Sequence, residues 1–339
     1  MGPGRAVTLQ DIADRLGVSR STVSFAVTGN GRVSDEMRRR VLAAARELGY
    51  QPNTVARRLR GAQTGIIALH LPRHTTTMSY YMNATFGIVE EANRAGMIVS
   101  LLPADASEAG LSRLHADGSI VLDPAADDPT ARALLSGSTP IITGEPVPPG
   151  LPSGQGEVTS DHARAVSGLL DHLAQRGSRS PALVVPDIPT HWTLSVRGAF
   201  ESWCAERGWP PRVRRIPHPA RPEDVHRAVE QLLDGPEPAD AIVAGSDGVV
   251  LNVVTGAERQ ARSIGEDLLV AATVDSGVLE FTRPSITALD LHPREFGRRC
   301  VQALLRALDG GEEPVPFIHD VVPIDVRYRA STRGTVANS

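Results

Sequence analysis

The residues with the clearest chemical use stand close together near the start of the chain. Arg20, Ser21 and Ser24 recur at a spacing that places them on one side of a helix, and Phe25 follows directly. Guanidinium and hydroxyl groups exchange hydrogen bonds with base edges, and an aromatic side chain can contact a thymine methyl group. The set therefore favours contact with the bases of DNA, provided that neighbouring elements hold the helix and leave this side exposed.

A first short helix is predicted directly before this set. Thr8 and Asp11 have the spacing of a capping box, in which each side chain bonds to the backbone of the other residue. Gly17 tolerates a positive φ and predicts a tight turn at the end of the helix. The apolar residues recur with a helical period and are Leu9, Ile12, Ala13 and Leu16.

Second and third helices are predicted to complete a small core. Ser19 can cap the second helix and Ser34 the third, which ends before Gly49. Their inward faces are Val23, Ala26 and Val27 in the second helix, and Met37, Val41, Ala44 and Leu48 in the third. Two helices joined by a tight turn with a glycine form a helix-turn-helix, whose second helix lies in the DNA major groove. Periodicity alone leaves open an ordinary three-helix bundle with a solvated arginine face.

The segment YQPNTVARRLRG, residues 50–61, predicts a fourth and very short helix. Pro52 ends the preceding structure, Asn53 is a suitable N-cap, and Leu59 follows among several arginines. A helix of two turns is unstable alone and would form only against a partner. Apolar residues flanked by arginines are what some proteins insert into a kinked minor groove. A basic linker that stays disordered in the free protein is the alternative.

Charge is unevenly distributed along the 339 residues. Residues 1–61 hold eleven arginines against five acidic residues, a balance of +6, so the net charge of −4 leaves −10 for the remainder. This asymmetry indicates that only the N-terminal part meets a polyanion. All 35 basic residues are arginine, which excludes a Walker A loop and Schiff-base catalysis. Neither a GxSxG nor a GxGxxG motif is present, so no catalytic site is predicted.

Cysteine usage and hydropathy further limit the classes of protein to which the chain can belong. Cys204 and Cys300 lack metal-type spacing with histidine, which predicts buried free thiols and no metal or cofactor site. The N-terminus has no apolar signal region, and no window approaches the roughly 18 to 20 apolar residues of a membrane span. We therefore expect a cytoplasmic protein with no membrane partner.

After Gln63, apolar strands alternate with helices, which predicts an α/β body. Strands are expected at 65–71, 97–102, 119–123 and 140–143, and a second set begins near Glu157 with strands at 181–186, 241–245 and 268–273. Two sets of parallel strands imply two open subdomains, with ligand sites outside the carboxyl ends of the strands. The cleft between the subdomains is the natural pocket.

The N-terminal part resembles the DNA-binding head of the LacI/GalR family of bacterial repressors. Three consecutive stretches carry the resemblance: VTLQDIADRLGVSRSTVS, RVSDEMRRRVLAAARELGYQPN and NTVARRLRG. It implies that Arg20 and Ser21 read bases, that Ser19 and Thr22 lie near phosphates, and that Leu59 opens the minor groove. The implied DNA-contact residues are Thr8, Ser19, Arg20, Ser21, Thr22, Ser24, Phe25, Asn53, Ala56, Arg57, Leu59 and Arg60. Because the family usually has arginine at the position of Phe25, the operator is expected to depart from the family consensus there.

The body resembles, more loosely, the periplasmic-binding-protein-like (type 1) core of the same family. Asp161 begins the segment that corresponds to the family's DN, Asp247 stands in a Ser-Asp pair in place of ND, and Asp275 stands in TVDS in place of GFDD. Carboxylates at strand ends suit sugar hydroxyls, although each could instead be a helix cap or loop residue. The expected effector-binding residues are Tyr80, Tyr81, Asp161, Trp192, Arg197, Asp247 and Asp275. Of these, Trp192 is expected in a loop before a helix, where it could stack on a sugar or purine ring, and Arg197 lies one residue closer to Phe200 than the family's RxxGF pattern.

The expected organisation is a helix-turn-helix domain at 1–52, a hinge helix and linker at 53–63, an effector-binding and dimerisation core at 64–333, and a tail at 334–339. Within the core, the N-subdomain takes about 64–158 and 292–319, and the C-subdomain about 159–290 and 320–331. The resemblance implies three passes of the chain between them, which lets them hinge around a ligand. The fold class is thus an all-α head followed by two subdomains of parallel sheets.

The expected function is a dimeric repressor that binds a pseudo-palindromic operator in double-stranded DNA and responds to a small-molecule effector in the cleft, a sugar or related metabolite. No leucine heptad follows the core, so a homodimer is expected rather than a tetramer. A non-sugar effector, a cleft that has lost ligand binding, and a solute-binding module are the alternatives.

Overall fold

The computed structural model describes residues 8–28, 33–48, 64–73, 79–106, 110–111, 114–309 and 316–334. The chain divides into two units, the head (Met1–Thr64) and the body (Gly65–Ser339). Among the described residues, no helix is both long enough and apolar enough to cross a bilayer.

The described part of the head contains three helices: α1 (Leu9–Leu16), α2 (Arg20–Thr28) and α3 (Asp35–Glu47). The predicted capping box is confirmed, since the Thr8 backbone N–H donates to Asp11 Oδ2 at 2.7 Å and the Asp11 N–H donates to Thr8 Oγ1 at 3.4 Å. Gly17 ends α1 with a φ of 65°, as the predicted turn requires. A cap of this kind contributes about 1 kcal/mol, which matters for a helix of only two turns.

The head has one small apolar core between its helices. The predicted N-caps of α2 and α3 are confirmed, because Ser19 Oγ accepts from the Thr22 N–H at 3.1 Å and Ser34 Oγ accepts from the Met37 N–H at 3.3 Å. The buried side chains are Ile12, Ala13, Val23, Ala26, Val41, Ala44 and Ala45. The side chain of Val27 and the residue Gly49, both part of the prediction, lie outside the described residues.

The first sheet of the body contains six described strands, all parallel, in the order β11-β5-β4-β3-β1-β2. They are β1 (Ile66–His70), β2 (Ile98–Leu101), β3 (Gly118–Leu122), β4 (Ile141–Gly144), β5 (Gly156–Ser160) and β11 (Ile318–Val322). Helices α4 (Ser79–Arg94) and α10 (Pro293–Asp309) cover one face of this sheet, and α5 (Pro129–Leu135) packs on the other.

The second sheet also contains six described strands, in the order β12-β10-β9-β8-β6-β7. They are β6 (Pro181–Pro186), β7 (Arg212–Ile216), β8 (Ala241–Ala244), β9 (Leu269–Ala272), β10 (Thr287–Asp290) and β12 (Asp325–Arg327). Helices α6 (His162–Gln175) and α7 (His191–Glu206) pack on one face, and α8 (Pro222–Leu233) and α9 (Asp247–Arg259) on the other. Short 3-10 helices lie at Gly277–Glu280 and Ala330–Thr332.

Some details of the predicted body were wrong. The strand at Glu157 belongs to the first sheet, because β5 pairs with β4 and β11. The predicted subdomain boundaries near 158 and 319 therefore fall inside β5 and β11, and the chain leaves the first sheet only after Ser160 and Val322. The second sheet is not wholly parallel, since β12 runs antiparallel to β10 at its edge. Backbone pairing continues as long as a neighbouring strand offers partners, and composition does not mark where it stops.

Helices α4 and α10 touch each other backbone to backbone. A Cβ atom added to Gly87 in α4 would overlap the carbonyl oxygen of Arg294, and one added to Gly297 in α10 would overlap the carbonyl oxygen of Ala84. Glycine is therefore required at both positions by the close approach of the helices. Of the two cysteines, Cys300 lies on α10 and Cys204 on α7; both are buried free thiols, as predicted, and burial raises the pKa of each.

Candidate DNA-contact surface and effector cleft

One side of α2 is buried in the head and the other is open to solvent. Val23 and Ala26 are almost fully buried, whereas Arg20 and Ser21 are exposed and 45% of Phe25 is accessible. Ser24 lies between the two sides and is half-buried. The exposed side thus presents a guanidinium, a hydroxyl and an aromatic ring next to one another, which suits the mixed polar and methyl edges of a major groove.

A cluster of hydroxyl groups lies at the N-terminus of α2. Ser19 Oγ lies 2.7 Å from Ser21 Oγ and 2.8 Å from Thr22 Oγ1. Backbone N–H groups and hydroxyls at a helix N-terminus form a favourable site for a phosphate, because the helix dipole adds partial positive charge there. Thr8, at the N-terminus of α1, is exposed and has its hydroxyl in the capping box.

The predicted hinge residues lie outside the described part of the chain. These are Asn53, Ala56, Arg57, Leu59 and Arg60. Their assignment to DNA contact therefore stays a prediction from the sequence.

A cavity of about 530 Å³ opens in the body between the two sheets. Its walls come from the segments that follow β1, β3, β6, β7 and β8, which are the carboxyl ends of parallel strands in both sheets. Ligands of open α/β folds bind at this end of the strands, and pockets for small molecules have about 300 to 1,000 Å³. A second, smaller cavity of about 30 Å³ adjoins it and shares Tyr81, Asp123 and Trp192 with it.

Three of the predicted effector residues lie at these cavities. Tyr81 and Trp192 line both, and Tyr80 lines the smaller one, where its ring meets that of Tyr81 edge to face at 5.2 Å. Trp192 is the second residue of α7 rather than part of a loop before it, because Thr190 caps that helix and starts it earlier than predicted. Burial raises the pKa of both tyrosine hydroxyls well above the usual value.

Three other predicted residues do not line either cavity, and their assignment to effector binding stays a prediction. Asp161 is exposed and caps α6, accepting from the Arg164 N–H at 3.0 Å. Arg197 lies 3.7 Å from Glu201 one turn further along α7. Asp275 is held by the Arg329 guanidinium through two hydrogen bonds of 2.8 and 2.7 Å. In each case the side chain already interacts with a nearby backbone N–H or with an oppositely charged side chain.

Asp247 is the first residue of α9, and its side chain lies outside the described set. Ser246, directly before it, is the N-cap residue of that helix and lines the larger cavity. The assignment of Asp247 to effector binding stays a prediction.

Two buried carboxylates that the sequence reasoning missed stand at the ends of adjacent strands. Asp123 follows β3 and Glu145 follows β4, and they are 6% and 4% exposed. Their φ values of 43° and 75° fall in the left-handed region, which costs a residue with a side chain about 1 kcal/mol or more. Such strained residues cluster at functional sites. The available signal was an acid directly after an apolar strand, in SIVLD and PIITGE.

Asp123 is the more unusual of the two. The Tyr81 hydroxyl donates to its Oδ2 at 2.9 Å, while its Oδ1 has no hydrogen-bond partner among the described residues. Burial, and then the negative charge of Glu145, raise the pKa of Asp123 to about 7, against the lowering effect of Tyr81, His162 and Thr190. Near neutral pH, this carboxyl group is therefore close to the midpoint of its titration.

Glu145, at the end of β4 in the first sheet, contacts His162 on helix α6. Glu145 Oε1 lies 2.9 Å from His162 Nε2, and Glu145 Oε2 accepts from the Thr159 hydroxyl at 2.8 Å. His162 is the first residue of α6, immediately after the chain leaves the first sheet. The residue next to the predicted Asp161, rather than Asp161 itself, therefore lies at the smaller cavity.

The larger cavity carries further aspartates. Asp128 lies 2.7 Å from His70 Nε2 and accepts from the N–H groups of Thr130 and Ala131 at the start of α5. Burial opposes ionisation of Asp128, but these hydrogen bonds hold its pKa below the usual value. Asp187 pairs with Arg215 at 3.2 Å on the exposed side.

Comparison with known proteins agrees with this division of the chain. The family described as bacterial regulatory proteins, lacI family, matches residues 8–53, and the periplasmic binding protein-like domain matches residues 170–332. Catabolite control protein A of Priestia megaterium is 25% identical over 341 residues, which cover 96% of this chain and 99% of that protein.

Two solved structures share the fold. A CelR–cellobiose complex has a TM-score of 0.71 at 23% identity and covers 96% of this chain and 99% of that one. The lac repressor dimer bound to operator and the anti-inducer ONPF has a TM-score of 0.76 at 21% identity and covers 97% and 99%. A helix-turn-helix head joined to a periplasmic-binding-protein-like body defines a DNA-binding transcriptional regulator. The chain belongs to the LacI family of these regulators, as the sequence resemblance predicted.

Proposed function

We propose that the protein is a dimeric cytoplasmic repressor that binds a pseudo-palindromic operator and is controlled by a small molecule in the cleft, with no catalytic activity. The observation that carries the DNA-binding part is α2, whose buried side fixes it in the head while Arg20, Ser21 and Phe25 face solvent. The cavity of about 530 Å³ between the two sheets supports control by a ligand. The CelR relative was solved with cellobiose, and the lac repressor as a dimer with operator.

An apolar surface on the first sheet supports the dimer. Met82, Phe86 and Val89 recur along the outer side of α4, and Ile98 and Leu101 lie on β2, the edge strand beside it. Each of the five side chains is between 43% and 60% exposed. Soluble monomers seldom leave such a group of large apolar residues in water, and a two-fold axis would cover it with its own copy. We call this group the α4–β2 surface.

Control by a ligand requires two arrangements of the subdomains. The chain passes between the sheets after Ser160, after Asp290 and after Val322, so the segments that join the subdomains are short. A ligand that contacts both sides of the cleft binds one arrangement more tightly and shifts the population towards it. Operator affinity changes only by the ratio of its affinities for the two arrangements.

The first experiment selects bound duplexes from a random pool with the full-length protein. We expect a pseudo-palindromic site, with an affinity that falls steeply as salt rises. Arg20→Ala should weaken binding to that site about tenfold or more, because a bidentate contact to guanine contributes about 1 to 3 kcal/mol. Arg15→Ala is the matched control, since Arg15 lies on α1, 3.6 Å from Glu47, and is not a predicted DNA contact. The absence of a selected site would refute DNA recognition.

The second experiment adds sugars, nucleosides and amines to the complex with the selected operator. Release and tighter binding both support control through the cleft, as an inducer and a co-repressor, respectively. Indifference of the complex to every compound would contradict the control by a ligand and leave the DNA-binding conclusion intact.

A further inference from the structure

Negative charge predominates on the walls of the larger cavity. Asp123, Asp127, Asp128 and Asp187 line it, and among its described lining residues the only arginine is Arg73. Two of the four aspartates already have a cationic or imidazole partner, as described above. Glu145 adds a further buried carboxylate at the adjoining smaller cavity. A ligand entering this cleft therefore meets more carboxyl groups than guanidinium groups among the described lining residues, and low-dielectric walls strengthen their field.

Asp123 is the aspartate of this set that has a buried oxygen without a hydrogen-bond partner among the described residues. Its side chain is 6% exposed and it lines both cavities. Oδ1 has no described partner at hydrogen-bond distance and angle, although the Thr190 hydroxyl is near enough to lower the pKa of Asp123. Leaving a buried acceptor unpaired costs about 1 to 3 kcal/mol, and more for a charged group. A hydroxyl could supply the missing hydrogen bond, but only a cation also offsets the repulsion from Glu145, which contributes to the raised pKa of Asp123.

Aromatic rings stand beside this carboxylate. Tyr81 and Trp192 share both cavities with Asp123, and Phe296 lines the smaller one. The face of an aromatic ring attracts an ammonium or guanidinium group, and the interaction grows as water is excluded. An acidic oxygen among aromatic rings is thus a suitable environment for a desolvated organic cation.

An anionic effector has few partners in the same cleft. Arg197, the arginine expected to face the effector, lies against Glu201 and lines neither cavity. A phosphate or carboxylate beside the buried Asp123 would be repelled by it, and the guanidinium among the described lining residues, that of Arg73, is exposed.

We propose that the effector of this cleft carries a protonated nitrogen and that Asp123 Oδ1 accepts the hydrogen bond from it. The proposal rests on the function proposed above, and names the class of compound that controls the operator complex. A cleft that binds only neutral polyols would not need such a group on its ligand.

The test uses the full-length protein on its selected operator and compares compounds that differ only at one position. The pairs are glucosamine with glucose, galactosamine with galactose, and 1,4-diaminobutane with 1,4-butanediol, with the N-acetylated sugars as neutral controls of larger size. Binding is followed by thermal shift of the free protein and by operator affinity. We expect at least one amine to act about tenfold more strongly than its neutral partner, as a charge-assisted hydrogen bond implies.

Two variants locate the effect at Asp123. Asp123→Asn keeps an acceptor for the Tyr81 hydroxyl and should abolish the preference for the amine. Asp127→Asn removes the same charge from an exposed wall of the same cavity and should reduce the preference by about threefold at most. Circular dichroism and elution volume establish that both variants are folded, and the comparison of amine with neutral compound in the unaltered protein does not depend on them.

The outcomes separate this proposal from the function it rests on. If a neutral compound acts as strongly as its amine, or if no amine acts, the proposal of a cationic effector is refuted. A neutral compound that releases the operator would still support control through the cleft. If amines act but Asp123→Asn leaves their preference unchanged, the assignment to Asp123 is refuted. If no operator is selected at all, the proposed function itself fails.

Discussion

Replacing Asp123 by asparagine should make the protein more stable, and increasingly so as the pH rises. In the folded protein burial and Glu145 raise the pKa of Asp123 to about 7, from 3.8 for an unperturbed aspartate. Between these two values the folded state keeps a proton that the unfolded chain releases, so this residue lowers stability progressively as pH rises towards 7. Below pH 3.8 both states are protonated and the effect is absent.

The size of the effect follows from the pKa difference. Each pKa unit corresponds to about 1.4 kcal/mol, so the full shift from 3.8 to about 7 corresponds to about 4 kcal/mol. Between pH 5 and pH 8 the unaltered protein should lose about 3 kcal/mol through this residue, and Asp123→Asn should lose none of it. In a domain of this size, 1 kcal/mol of stability shifts Tm by about 2 °C. The Tm of Asp123→Asn should therefore rise by roughly 6 °C relative to that of the unaltered protein between pH 5 and pH 8.

The assay is thermal and urea unfolding of both proteins at pH 5, 6, 7 and 8. The difference in Tm between Asp123→Asn and the unaltered protein should grow with pH and level off above about pH 7 to 8. Asp127→Asn, at an exposed position near by, should give a curve parallel to that of the unaltered protein. Parallel curves for Asp123→Asn would refute the raised pKa of Asp123 and the burial to which it is attributed.

Three further outcomes follow from the site and the surfaces. Phe25→Arg should change the preferred base at one position of each half-site, and selection that returns the same site for both proteins would contradict a reading role for Phe25. Phe86→Glu should shift the protein from dimer to monomer in analytical ultracentrifugation, since it places charge in the α4–β2 surface, whereas an unchanged dimer would place the interface elsewhere. Asp275→Asn should cost about 2 kcal/mol in urea unfolding because it leaves Arg329 half-buried without its partner, and a loss below about 0.5 kcal/mol would show that the ion pair contributes little.

The sequence predicts the head well because its determinants are local. Thr8 and Asp11 are three residues apart, and Ser19 caps a helix that begins at the next residue. Hydrogen bonds of this range depend on the order of residues and on little else. The inward faces follow from the same short periodicity, so the helices, their caps and the exposed side of α2 could all be read before the structure was known.

The cleft was predicted less well because its determinants are distant in the sequence. The sequence predicts that Asp275 binds a ligand, but it does not indicate that Arg329, 54 residues later, forms two hydrogen bonds with it. Asp123 and Glu145 lie 22 residues apart, and no local pattern states that both are buried beside each other. Pairing between strands decides which side chains meet at a sheet edge, and a single sequence contains that information only implicitly.

Helix α4 connects three features that have been described separately. Its first turn carries Tyr80 and Tyr81, its outer side forms part of the α4–β2 surface, and its inner side meets α10 at Gly87 and Gly297. Over 16 residues it is a rod of about 24 Å. At Gly87 and Gly297 no side chain separates the two helices, so their backbones contact each other directly there. A ligand that displaces the first turn of α4 must therefore do so without bringing Gly87 closer to Arg294 or Gly297 closer to Ala84. Substitutions at either end of α4 leave this contact intact, but a side chain at Gly87 or Gly297 would push the two helices apart.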